Sequence, residues 1–401
     1  MSGIVQLVAI GPQDQYLTGN PEVTFFKNVY RRYTNFAMEA VDLTFNGSVD
    51  FGRKLNVTLP RNGDLISHTY LEIDLPTLTA NTGGTVAWTR NIGHVLIKEA
   101  ELEIGGQRID RHYGQWLHIW QELTVSSDHI EGQNVLIGNT TTLTTLAASI
   151  PARKLTIPLQ FQYCRNLGSA LPLIAMQYHV VNVSVELRQF SECHVVGVPG
   201  TDTAIVPTLS NATLWVDYIY LDKDERRFFA QNGHEYLIEQ LQFTGSEGFS
   251  QTAVKQRLNF NHPCKMLVWV NQLDSNVIGG VNRWTDFTDG STPYEGGNAL
   301  VNAKLMLNGH DRFKTRNADY FNLVQPRQHL PRTPATGIYV YSFAVKPVEH
   351  QPSGSVNMSR IENASLQMTM SSSAAQKSYV YATNINILRI VSGMAGLAYS
   401  S

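Results

Sequence analysis

Cysteine is scarce: Cys164, Cys193 and Cys264 are three in 401 residues, far apart and without a CxxC pair. That excludes a disulfide framework and a structural zinc finger, and leaves small apolar side chains of a reducing compartment. Charge is scarce as well. Asp, Glu, Lys and Arg make up 16% of the chain and nearly cancel, at −2 overall. A near-neutral chain gives no electrostatic basis for wholesale nucleic-acid binding. Long apolar runs are missing, since no stretch approaches the roughly 20 apolar residues of a membrane span. The first ten residues lack a basic n-region and are interrupted by Gln6, so they do not read as a signal peptide.

Motifs that carry chemistry are missing too. The paired glycines at Gly83, Gly105, Gly279 and Gly296 have neither the dinucleotide spacing nor the lysine of a phosphate loop. Gly245-Ser246-Glu247-Gly248 is one residue short of a nucleophile elbow. His234-Glu235 has no second histidine at metalloprotease spacing, and His112 and His118 fit neither helical ligand spacing. Carboxylates such as Glu101 and Glu103 sit at the polar positions of alternating segments, with nothing to pair two across a cleft. The expectation is no catalytic residue, no cofactor and no metal site.

What is present is alternation. Val41, Leu43 and Phe45, then Leu55, Val57 and Leu59, then Leu71, Ile73 and Leu75 each alternate with polar residues. Val181, Val183, Val185 and Leu187 make the cleanest run, and Leu305/Leu307 and Leu366/Met368/Met370 continue the habit. Such segments are strands with one face in a core, and many short ones between polar turns predict β-sandwiches or barrels. Trp215–Leu221 and Ile385–Ile390 are apolar at both parities, which predicts burial on both faces. Helices are few. Trp116, Ile119, Trp120 and Leu123 share an i, i+3, i+4, i+7 stripe within 113–123, and Asp222 with Glu225 opens a short connector over 222–231.

The pattern occurs twice. Leu55-Asn56-Val57 returns as Leu258-Asn259-Phe260, and Ala100–Gly106 returns as Ala303–Gly309, both at a shift of 203 (258 − 55; 305 − 102). This predicts an internal duplication of β-architecture, a better template for a pseudo-symmetric tile than for one active site. The long polar segments 77–91, 126–149, 192–211 and 272–298 read as loops that project or make contacts. The last holds Trp284, Phe287 and Tyr294, which open an alternative reading as a carbohydrate-binding β-sandwich.

Gln15-Tyr16-Leu17-Thr18-Gly19-Asn20-Pro21, Tyr30-Arg31-Arg32-Tyr33-Thr34-Asn35-Phe36, Leu102–Asp110, Trp215-Val216-Asp217-Tyr218-Ile219, His234–Phe243, Asn259-Phe260-Asn261-His262-Pro263 and Gln351-Pro352-Ser353-Gly354 stand in order along nearly the whole chain. Together they resemble the major capsid proteins of nucleocytoplasmic large DNA viruses, most of all the algal-virus branch. The segments near 272–298 and 371–378 look short for that branch.

The resemblance implies an all-β fold of two consecutive eight-stranded jelly rolls with few short helices. It divides the chain into an N-terminal arm (1–26), a first jelly roll (27–221) and a second (222–401), the latter opened by the 222–231 helix. It implies a structural shell subunit without catalysis, forming homotrimeric, pseudo-hexagonal capsomers that tile an icosahedral virion. Its partners would be neighbouring capsomers, minor capsid proteins and an inner membrane, with assembly at virus factories in host cytoplasm. A minor capsid or scaffolding role is the alternative within the family. The residues themselves single out two further sets: Lys27, Arg31 and Arg32, either a solvated or inter-subunit charge pair or a contact with an anionic inner surface, and Asn139, in an Asn-Thr-Thr triplet that is either a chance occurrence or a glycan acceptor.

Overall fold

Alternating segments became strands, and their apolar parity faces inward. The computed structural model describes residues 2–25, 30–81, 83–278, 280–290 and 292–399. The chain divides into a leading segment, Met1–Phe36, and a body, Ala37–Ser401. The leading segment carries short helices Ser2–Val8 and Gln15–Thr18. The second stops at Gly19, and Asn20 follows in the left-handed region at φ 50°.

The first sandwich has strands β1 (Phe36–Thr44), β2 (Lys54–Thr58), β3 (Leu65–Leu75), β4 (Ile97–Ile104), β5 (Gln107–Tyr113), β6 (Arg153–Pro158), β7 (Val181–Leu187) and β8 (Ala212–Leu221). One sheet runs β1-β8-β3-β6 and the other β2-β7-β4-β5. The second sandwich has β9 (His234–Phe243), β10 (Ala253–Leu258), β11 (Pro263–Leu273), β12 (Leu300–Leu307), β13 (His310–Asp311), β14 (Ile338–Ser342), β15 (Ala364–Met370) and β16 (Gln376–Val391). Its sheets run β9-β16-β11-β14 and β10-β15-β12-β13, so every position of the first order recurs eight strands later. This is jelly-roll order, and it occurs twice.

Register refines the duplication. Strand β12 follows β4 by 203 residues at both ends (300 − 97; 307 − 104). Val183 faces Leu102 in the first sandwich and Leu366 faces Leu305 in the second. Both hairpins close on two left-handed residues, Gly105 (φ 59°) and Gly106 (φ 80°), then Asn308 (φ 48°) and Gly309 (φ 81°). That is the turn whose twist suits a two-residue hairpin. The match at Leu55, in contrast, is displaced. Val57 faces Val183 and Gln256 faces Leu366, so β10 follows β2 by 199 residues (256 − 57). The slip of four is even. It keeps apolar residues on the core face, and so the pattern alone does not reveal it.

Each sandwich holds its own core: Leu71, Leu102, Val183 and Leu214 in the first, Leu267, Trp269, Leu305 and Leu366 in the second. Each such side chain contributes about 1.5–3 kcal/mol on burial. Cys193 and Cys264 are buried free thiols, and burial pushes both up to about 12. Trp215–Leu221 departs from expectation. Trp215, Asp217 and Tyr220 stay half-buried, so one face of β8 is partly open. The strand most fully buried on both faces is β11, buried from Cys264 to Gln272. Segments 77–91 and 126–149 also carry structure, including a strand Val86–Trp88 and a helix Ile130–Leu136.

Candidate assembly site at the joint between the two sandwiches

Helix α1 (Gly114–Thr124) follows β5 directly. It has no acidic residue in its first turn and no side-chain cap, so tertiary packing holds it. Its first residue must be glycine: an added Cβ would lie 2.1 Å from the Ile97 carbonyl oxygen and 2.2 Å from that of His94. Leu117 keys α1 into the first core. Trp116, Ile119, Trp120 and Leu123 face away, onto Met266, Val268 and Val270 of β11, Ile338 and Val340 of β14, and Tyr381 of β16. This explains β11. Leu267 and Trp269 point into the second core, and the alternate residues lie under a helix of the first sandwich. Trp116 stands 5.2 Å from Tyr381 between ring centroids, and the Tyr381 hydroxyl donates to Gln115 Oε1 at 2.7 Å. The exchange is mutual, since Ile238, Leu388 and Ile390 of the second sandwich belong to the first core.

Segment 272–298, expected to project or to make contacts, straps the joint through its described residues. Asn282, left-handed at φ 44°, donates its side-chain amide to the carbonyls of Ser191 (2.6 Å) and His194 (2.7 Å). Trp284 Nε1 donates to the Glu192 carbonyl at 2.9 Å and lies under Arg188 at 4.2 Å. Arg90 covers the Tyr294 ring at 4.1 Å, and Phe287 is buried beside α1. The three aromatics are therefore committed inside the chain and form no sugar-stacking platform. Asp286 organises the strap by accepting from Thr288 N (3.1 Å) and Tyr294 N (2.9 Å).

Buried charge crosses the same joint. Asp110 and His112 lie 2.8 Å apart with side chains 1% exposed, and Asp110 also accepts from the Leu241 amide at 3.1 Å. Burial pushes the Asp110 carboxyl up, but His112, that amide and Arg165 outweigh it, and the net shift is downward. Arg165 reaches Glu239 at 3.2 Å, and Lys265 shares that carboxylate while donating to the Glu349 carbonyl at 2.8 Å. His94 and His118 are buried with ring centroids 6.4 Å apart. Burial, reinforced by His118, pushes His94 down to about 3.

These carboxylates are spent on ion pairs. Glu101, expected on a polar face, is buried between Lys54 (2.9 Å) and Arg111. Among the described residues no group of three or more His, Cys, Asp or Glu is placed to hold a metal, and no helix is long and apolar enough to cross a membrane. The joint offers cohesion.

Of the residues singled out in the sequence, Arg31 and Arg32 are exposed in the leading segment, and Lys27 lies outside the described residues. Asn139 is half-buried and donates to Asn134 Oδ1 at 3.3 Å. Asn139 lies well along the chain from Arg31 and Arg32, in a different part of the division at Phe36. Sequence reasoning missed β11, whose run Met266-Leu267-Val268-Trp269-Val270 was the available signal, and Arg165, for which there was none.

Two jelly rolls in tandem, locked by a helix and a strap, define a class of viral shell proteins. Residues 24–222 match the family described as major capsid protein N-terminus, and residues 225–396 match that described as large eukaryotic DNA virus major capsid protein. The chain is 48% identical to the major capsid protein of Pyramimonas orientalis virus, with 100% of this chain and 99% of the relative covered. It is 43% identical to that of Phaeocystis pouchetii virus, again with 100% and 99% covered. The latter alignment runs over 517 positions, so at least 116 residues of that relative (517 − 401) have no counterpart here. Among solved structures, a quasi-atomic model of the PBCV-1 virus capsid superposes with a TM-score of 0.81 at 37% identity, covering 94% of this chain and 100% of that one. The chain belongs to the major capsid protein family of large eukaryotic DNA viruses. Its role is structural, as a self-associating component of the virion shell.

Proposed function

We propose that three copies close into a pseudo-hexagonal capsomer and that such capsomers tile the facets of an icosahedral shell. The carrying observation is the double occurrence of one strand order joined by α1. Three copies of a two-sandwich chain present six similar sides, and a closed ring of heterologous contacts is the symmetry a trimer uses. Static light scattering should return about three times the 44.8 kDa chain mass. A monodisperse monomer at micromolar concentration and neutral pH would contradict the reading.

The division into arm (1–26), first roll (27–221) and second roll (222–401) is part of the same proposal. The turn into α2 (Lys223–Gln231), where the Asp222 side chain accepts from Lys223 N at 2.8 Å, supports its second boundary. Exposed Arg31 and Arg32 would face an anionic inner layer, a membrane or minor capsid proteins, in particles built at cytoplasmic factories. A glycan at Asn139 requires its bond to Asn134 to open, and intact mass of the virion protein tests that modification.

A further inference from the structure

Each sandwich carries a helix at the same topological place. In the first, α1 lies between β5 and β6. In the second, residues 320–329 are helical between β13 and β14, with π turns at Tyr320–Val324 running into Gln325–His329. Each helix keys its own core, through Leu117 in the first sandwich and through Phe321, beside part-buried Tyr320, in the second. The opposite face of α1 is sunk in the second sandwich, with Trp116 and Ile119 at 0% exposure. The opposite face of the second helix meets solvent, with Leu323 at 47% and Val324 at 40%. Arg327, one turn beyond Leu323, is exposed and has no ion-pair partner among the described residues.

The receiving faces correspond in the same way. Beneath α1 the row Tyr381–Val268–Val340 crosses β16, β11 and β14. In the first sandwich the row Trp215–Tyr70–Pro158 crosses β8, β3 and β6, and all three residues are half-buried, with helix Ile130–Leu136 beside the Pro158 end. A cleft of about 280 Å³ opens beside this row between His68, Tyr70, Pro158, Gln133 and Leu136. The face also carries acid: Glu72 and Asp74, both near Lys154, and Asp217, whose neighbour His68 lies at 3.7 Å. Three carboxylates against one lysine favour an incoming cation.

We propose that residues 320–329 of one copy seat Leu323 and Val324 in the cleft beside Tyr70 of a second copy, repeating between chains the contact that α1 makes within one. The proposal rests on the trimeric reading and names its contact. Helix and cleft belong to opposite sandwiches, so the contact is heterologous, and a threefold ring satisfies every copy. Arg327 would then lie over the carboxylates of β3.

The test uses the full chain with Cys164→Ala, because Cys164 borders the cleft. Tyr70→Cys and Val324→Cys are introduced together and treated with a short bismaleimide. Covalent dimers and trimers are expected from the pair and not from either substitution alone. Separately, Leu323→Asp with Val324→Asp should move the midpoint of trimer formation at least about tenfold in concentration. The melting temperature of the dissociated chain should hold, because both side chains are exposed there. A trimer by light scattering that neither cross-links nor responds to the aspartates overturns this contact and leaves the trimer standing. An unsubstituted chain that stays monomeric overturns both.

Discussion

Arg165 holds its guanidinium 3.9 Å from the centre of the Trp120 ring. Trp120 is one of the knobs of α1 in the second sandwich's sheet, and Arg165 also binds Glu239 of β9 at 3.2 Å. One cation thus ties a helix of the first sandwich to a strand of the second. A stacked, desolvated guanidinium adds up to about 2 kcal/mol to such a contact. The apolar seam positions the sheet, and the charge network fixes its register.

Glu239→Gln leaves Arg165 and Lys265 without their shared anion, and the Lys265 side chain is 1% exposed. Breaking a buried pair from one side costs about 3–5 kcal/mol. The urea midpoint should fall accordingly, with the slope nearly unchanged because glutamine keeps the shape.

Trp116→Ala opens a cavity between α1 and Tyr381, where Trp116 is fully buried. The expected loss is about 3–5 kcal/mol. Differential scanning calorimetry should show it, together with earlier unfolding of the second sandwich, whose sheet loses its cover.

Acid should loosen the joint. His94 titrates at about 3 in the folded chain and near 6.5 when unfolded. The unfolded state therefore takes the proton first, and the stability His94 confers is full above about pH 6.5 and is lost as pH falls toward 3. Between pH 6.5 and 5 this one group removes about 2 kcal/mol. Asp110, shifted downward, acts lower: its contribution is present above the ordinary carboxylate pKa and fades as pH falls through its folded value. Chemical denaturation at pH 7.5 and 5 should show the drop, and His94→Asn should flatten it.

Asn282→Gly keeps the left-handed backbone of the strap and removes both bonds to the first sandwich. Cleavage within 274–298 by a non-specific protease should speed up while the global melting temperature moves little. Asn282→Ala adds backbone strain at φ 44° and should lower that temperature as well.

Much of the fold was legible because strand and helix impose periods of two and 3.6 on burial. Leu102 and Ile104 announced β4, and the stripe from Trp116 to Leu123 announced α1 to within one residue. The Gly105-Gly106 and Asn308-Gly309 bends announced both hairpins. The joint was not legible. Trp116 and Leu117 read alike as apolar, and nothing local says that one faces the second sandwich and the other the first core. Trp284 and Tyr294 sit among glycines and polar residues, the composition of an outward loop. Their partners, Glu192 and Arg188 for one and Arg90 for the other, lie about a hundred or more residues away in sequence.

The sequence by itself determined that this chain is a duplicated architecture of short alternating strands, since side-chain period and turn chemistry are local properties. Tertiary structure alone decided that the sandwiches are locked, by what, and which faces stay open. An apolar stripe states that it must be buried, and only the placement of distant strands states against what. In the first sandwich the answer lies within the chain. In the second, Leu323 and Val324 repeat the question at the surface.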